Sequence, residues 1–139
     1  MRLLRHVTTV TLVLALMSVS AFAATAGKYT GRTADKRPVS FVVRANRVRS
    51  FTMQTRFKCS NGTGFVASAS FLPMKIKRNR FNATFHNTAG SLRTTIKGAI
   101  RGRRATGTIR RRARFNSSRK LDPRGTLVCS VRTRYTARR

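Results

Sequence analysis

From Leu92 to Ile100 the chain alternates. Leu92, Thr94, Ile96, Gly98 and Ile100 occupy one set of positions, and Arg93, Thr95, Lys97, Ala99 and Arg101 the other. After a short turn containing Gly and Arg, Ala105, Gly107, Ile109, Ala113 and Phe115 continue the pattern against Thr106, Thr108, Arg110, Arg112 and Arg114, and Arg111 alone breaks the apolar register. Leu127, Cys129, Val131, Thr133 and Tyr135 alternate with Val128, Ser130, Arg132 and Arg134, and Phe51, Met53, Thr55, Phe57 and Cys59 with Thr52, Gln54, Arg56 and Lys58. Successive side chains of a strand point to opposite sides, so a period of two predicts strands with one dry face and one wet face.

Turn signals separate these runs at Ala45-Asn46, Asn61-Gly62, Arg78-Asn79, Ala89-Gly90 and Asp122-Pro123-Arg124-Gly125. Val48 is out of phase with Phe51, which predicts a bulge near Arg49-Ser50. Beyond the first 23 residues no window keeps apolar residues at helical spacing. The expected fold is all-β: a single antiparallel sandwich or barrel of about seven to nine strands, the sandwich being preferred. Residues 24–139 suffice for one domain with one modest core. Residues 24–36 read as a lead-in and Ala137 to Arg139 as a loose tail.

The start of the chain has a different pattern. Arg2 and Arg5 precede the apolar run Val7–Met17, and Ala21-Phe22-Ala23 puts small residues where a signal peptidase requires them. Segment 1–23 is therefore expected to be a secretory signal cleaved after Ala23. A retained anchor is the alternative, although 11 apolar residues fall short of the roughly 20 that span a bilayer. The protein is expected to be secreted or associated with the cell envelope, without stable membrane insertion once the leader is removed, and monomeric.

Cys59 and Cys129 are the only cysteines. An even count in a small exported domain predicts a disulfide. Both lie in the apolar register of their strands, so the bridge is expected to cross the core and tie sheet to sheet. Closing so long a loop stabilises by roughly 4 kcal/mol in the loop-entropy model, against a total of about 5–15 kcal/mol for a domain. A metal site needs more ligands than two thiols, one downstream His and two Asp supply, so none is expected.

The turn and core residues carry a resemblance. The segments Gly27-Lys28-Tyr29-Thr30-Gly31-Arg32-Thr33 and Arg37-Pro38-Val39-Ser40-Phe41-Val42-Val43, then Asn46-Arg47-Val48 leading to Phe51, resemble a group of small exported domains of high-GC actinobacteria. So do Cys59-Ser60-Asn61-Gly62, Gly102-Arg103-Arg104-Ala105-Thr106-Gly107-Thr108 and the ending Tyr135-Thr136-Ala137-Arg138. Those chains usually carry Trp where this one has Tyr135. The resemblance implies a fold and transfers no functional residue.

Charge then narrows the function. The chain holds 31 Lys+Arg against two acids, Asp35 and Asp122, for a formal charge of +29 and a pI near 12.0. Without Arg2 and Arg5 the remainder still carries +27. Such charges cannot all pair within the chain and look outward for phosphate, carboxylate or sulfate. Hydrolytic chemistry needs a nucleophile–base pair or two carboxylates. The two Asp fall in arginine-rich turns, and His86 points outward with Asn82 and Thr84, so no catalytic residue and no cofactor is assigned. Arg93, Lys97, Arg101, Arg110, Arg112, Arg114, Arg132 and Arg134 all fall on wet faces. If their strands are neighbours, eight cations cover one surface, a candidate polyanion-binding face. Arg outnumbers Lys 24 to 7, and a guanidinium fork matches phosphate or carboxylate in two-pronged geometry. Lys75 and Lys77 point outward by the same logic against Met74 and Ile76.

The expected partners are anionic polymers: envelope phosphate polymers or acidic polysaccharides, with extracellular DNA a weaker candidate. Single-strand binders display aromatic rings for base stacking, whereas Phe41, Phe51, Phe57, Phe81, Phe85, Phe115 and Tyr135 fall in inward registers and only Tyr29, Phe65 and Phe71 lack a clear face. Two other readings fit the same composition: a wall-associated structural domain without a specific ligand, and a cationic toxin-like protein. The absence of amphipathic helices weakens the toxin reading.

Overall fold

The computed structural model describes residues 24–139, and the leader expected over 1–23 lies outside the described residues. Among the described residues there is no helix. Nine strands follow in chain order: β1 Gly27–Thr33, β2 Pro38–Arg44, β3 Arg47–Cys59, β4 Gly64–Phe71, β5 Met74–Lys75, β6 Arg80–His86, β7 Leu92–Arg101, β8 Arg104–Phe115 and β9 Leu127–Arg138. The turns fall where their chemistry predicts. Ala45 and Asn46 (φ 49° and 60°) join β2 to β3, and Arg78 and Asn79 (φ 50° and 61°) join β5 to β6. Two successive positive φ values match the right-handed twist of the flanking strands.

The β2–β3 register passes from Ser40↔Thr52 to Val42↔Arg49, so Ser50 and Phe51 together oppose Phe41, and Ser50 sits at φ 49°. This is the expected bulge. It returns Val48 and Phe51 to the same dry face, both 0% exposed.

The strands form a single sheet in the order β4-β3-β2-β1-β9-β8-β7-β6, with β5 paired to β3, and not the preferred two-sheet sandwich. The reason is the length of β9. Its second edge serves two partners: Tyr135–Arg138 pair with Thr30–Thr33 of β1, while Cys129 and Ser130 pair with Cys59 and Lys58 of β3. That second pairing closes β1, β2, β3 and β9 into a small barrel. Cys59 and Cys129 are bridged as expected, but they stand directly opposite each other on this seam, Cα atoms 3.9 Å apart. The disulfide therefore staples neighbouring strands and does not cross the core between sheets.

The inner face of β6–β8 folds over that of β1–β3. Phe41 stacks on Tyr29 (5.1 Å) and Phe51 (5.4 Å) and meets Phe81 of β6 edge-on at 6.0 Å. Gly98 and Gly107, side by side on β7 and β8, leave the slot that the Tyr135 ring occupies. A Cβ on Gly107 would lie 2.0 Å from the Lys97 carbonyl oxygen, and one on Gly98 2.2 Å from the Phe81 ring. The Tyr135 hydroxyl donates to that same Lys97 carbonyl at 3.1 Å, and burial holds the phenol well above its ordinary range.

Two expectations at the chain ends are overturned. The supposed lead-in contains β1, where Tyr29 is 0% exposed and donates to the Thr25 carbonyl at 2.7 Å. The supposed loose tail belongs to β9: Ala137 is buried opposite Gly31, and the Arg139 N–H donates to the Arg103 carbonyl at 2.9 Å. Each segment is too short to show a clear alternation by itself. They become strands by pairing with β2 and β8 and with each other.

Candidate functional site

The condition on the basic face is met, because β7, β8 and β9 are consecutive neighbours. Their registers arrange the outward side chains in rows across the strands. One row runs His86, Arg93, Arg112, Ser130; the next Thr84, Thr95, Arg110, Arg132; the third Asn82, Lys97, Thr108, Arg134. Long cationic side chains rise around short hydroxyl and amide side chains. The result is a groove of about 460 Å³ lined by Arg93, Lys97, Arg110, Arg112 and Arg132 together with Asn82, Thr84, Thr95 and Thr108. The Thr84 and Thr95 hydroxyl oxygens share a hydrogen bond at 3.1 Å on its floor.

Of the eight predicted cations, five line this groove. Arg101 lies on the same face beside Arg104 at the turn end of β7, Arg134 lies beyond Thr108, and Arg114 sits half-buried next to Val128 at the other end of β8. The neutral floor was not recognised as part of the site. Its members were legible as outward residues, but that β6 lies beside β7 and completes the groove follows from the tight Asn87–Ser91 connection. There the Asn87 side chain accepts from the Leu92 N–H (2.9 Å) and donates to the Ser91 hydroxyl (2.7 Å). Lys75 points outward from β5 with Met74 buried beside it, and Lys77 follows beyond the strand end, but neither lines the groove.

Directly beneath lies the residue that seemed to break the pattern. Arg111 keeps the inner register of β8 and is only 4% exposed. Its Nε donates to the Thr94 hydroxyl at 3.2 Å, one terminal nitrogen donates to the Thr55 hydroxyl at 2.9 Å, and its guanidinium carbon lies 4.9 Å from the centre of the Phe57 ring. Burial lowers its affinity for its proton. Two hydroxyls and a π face substitute for the water a guanidinium otherwise holds.

No carboxylate lines the groove. The chain has two Asp side chains, and both serve turns: Asp35 accepts from the Thr33 hydroxyl, and Asp122 from the Arg124 N–H at 2.8 Å. His86 stands outward on β6 across from Arg93. Among the described residues no group of three or more His, Cys, Asp or Glu side chains is placed to hold a metal ion. The three aromatics without a predicted face are also placed. Tyr29 is in the core, Phe71 packs against Phe51 and Phe85, and Phe65, 38% exposed, stacks on Phe57 near the disulfide. None of them lines the groove.

Compared with protein-family models, curated proteins and solved structures, the chain has no match. The functional reading rests on the geometry of the site itself.

Proposed function

We propose that this chain is an exported, non-catalytic binding domain that holds anionic polymers of the cell envelope or its surroundings on the outer face of β6–β9. One observation carries the reading. Five cations from two neighbouring strand pairs surround a single groove, and neither of the two carboxylate side chains is near enough to line it. Arg93 faces Arg112 across β7–β8, and Arg110 faces Arg132 across β8–β9. Like charges opposed across strands cost some tenths of a kcal/mol per pair. An external anion relieves that repulsion and accepts charge-assisted hydrogen bonds from both sides. The short hydroxyl and amide floor gives the polymer backbone room to lie among the cations. The disulfide and the leader-like start of the sequence suit a protein working outside the inner membrane.

The test is a binding panel on the oxidised protein at several salt concentrations. Polyanion binding releases counterions, so affinity falls steeply and linearly in logarithmic coordinates as salt rises. Replacing Arg93, Arg110 and Arg112 together with Gln removes the groove. Replacing Arg44, Arg47 and Lys77 with Gln removes the same charge from exposed positions that do not line it. The groove variant is expected to lose at least about tenfold more affinity than the control, given the strength of hydrogen bonds to charged groups. Equal losses would show that net charge alone acts, and the protein would then be a wall-associated basic domain without a defined site.

A further inference from the structure

The groove's lining is patterned, and the pattern selects among polyanions. Arg93 and Arg112 form one guanidinium pair and Arg110 and Arg132 another. The second pair is displaced from the first by two residues along β8 and by one strand across the sheet. With a rise of about 3.4 Å per residue and strands about 4.8 Å apart, the two pairs are centred roughly 8 Å from each other. Two anionic groups at that spacing fit a chain whose charges are separated by a short bridge. Polymers charged once per disaccharide space them more widely.

Beside the pairs the groove offers hydroxyls. Thr95 shares a row with Arg110 and Arg132, and Thr84 shares its hydrogen bond. Among the described residues no aromatic ring lines the groove, so they offer no stacking surface there for nucleobases.

We infer that the preferred ligand is a linear polyol phosphate, in which phosphodiesters alternate with short hydroxylated carbon bridges. Each guanidinium pair takes one phosphate, and the threonine floor takes hydroxyls of the bridge between them. The inference rests on the polyanion reading above and names the ligand class for the same groove.

Calorimetric titration of the oxidised protein with four charge-matched probes tests it: a glycerol-phosphate oligomer, inorganic polyphosphate, an oligouronate and oligo-dT. The glycerol-phosphate oligomer is expected to bind about tenfold more tightly than the uronate or the oligo-dT, the equivalent of one well-placed charged hydrogen bond. Thr95→Val keeps the side-chain shape and removes the hydroxyl. It should weaken the glycerol-phosphate oligomer severalfold and leave inorganic polyphosphate unchanged, while Arg93→Gln with Arg112→Gln weakens both. A thermal melt of each variant checks that the fold is kept. Equal affinity for uronate or oligo-dT, or no difference between the two phosphate probes in Thr95→Val, overturns the polyol-phosphate inference and leaves the polyanion reading standing. If none of the four probes binds with a salt-dependent affinity, the polyanion reading fails as well.

Discussion

Arg110, Arg111 and Arg112 follow one another on β8, and the pleat sends the middle one to the opposite side of the sheet from its neighbours. The outer two are exposed and stand across from Thr95, Arg132, Arg93 and Ser130, around a groove open to solvent. The inner one is buried against Thr55, Thr94 and Phe57. The same side chain thus has two kinds of consequence. On the outside it retains its hydration and is free to exchange water for an anion, so in the proposed function its contribution is to binding. On the inside its hydration has been replaced by fixed protein groups, so its contribution is to the packing of the layer beneath the groove. A third region sharpens the contrast. Over β2–β4, the outward patch of Pro38, Ser40, Thr52, Gln54, Ser68 and Ser70 carries no cation, and Ser40 and Thr52 hydrogen-bond to each other at 2.7 Å. The basic residues are therefore not spread evenly over the wet faces.

The sharpest way to separate inside from outside is to perturb the inside alone. Replacing Cys59 and Cys129 with Ser unstaples the β3–β9 seam and is expected to lower unfolding free energy by about 4 kcal/mol, read by denaturant titration. Provided enough protein remains folded, affinity for the polyanion should be preserved, because neither cysteine lines the groove. Arg111→Ala comes next. It leaves a void beside Phe57 and strands the Thr55 and Thr94 hydroxyls, and relief of the buried charge offsets only part of that, for a net loss of about 2–3 kcal/mol. Arg111→Met refills most of the volume and should lose less.

The outside substitutions reverse the readout. Arg110→Gln with Arg112→Gln should change stability by no more than about 0.5 kcal/mol, as surface changes do, while weakening polyanion binding by about 1.5–3 kcal/mol, or tenfold and more. A large stability loss in that pair, or a large affinity loss in Arg111→Met, would break the division of labour along β8.

The smallest expected effect concerns pH. Burial raises both Tyr135 and Tyr29 in the folded state. A group whose folded value lies above its unfolded one contributes stability that is present below the unfolded phenol value of about 10 and lost as pH rises past it. Stability should therefore decline above about pH 10. Tyr135→Phe should flatten that decline at a baseline cost of about 1 kcal/mol for the bond to the Lys97 carbonyl. Polyanion binding near neutral pH should not change.

How much of this was legible in the chain depends on the range of the interaction. The alternation in β3, β7, β8 and β9, the turns at Ala45-Asn46 and Arg78-Asn79, and the bulge at Ser50 are local matters of backbone geometry and side-chain direction. They read directly, as did the outward placement of all eight candidate cations and the pairing of the only two cysteines. Arg111 stood out as the one exception to the apolar register, but its role was not legible, for a different reason. A charge at an inner position looks like an error of register until Thr55, far off in sequence, and Thr94 are seen to meet it. Likewise β1 and the end of β9 carry few residues each, and pairing with β2 and β8, as well as with each other, makes them strands.

The sequence alone therefore determined that the protein is built of antiparallel strands, that its wet faces are strongly cationic and that its two cysteines pair. Each of these follows from residue type and from contacts within a strand or turn. Only the tertiary structure decided that one sheet closes on itself through Lys58–Ser130 and Cys59–Cys129, and which wet faces adjoin. It also decided that Thr84 and Thr95 lie beside the arginines as the floor of a groove. Those outcomes depend on which strand edges meet. That choice is set by the packing of the whole core around Phe41, Phe51, Phe81 and Tyr135, and no stretch of the chain contains it.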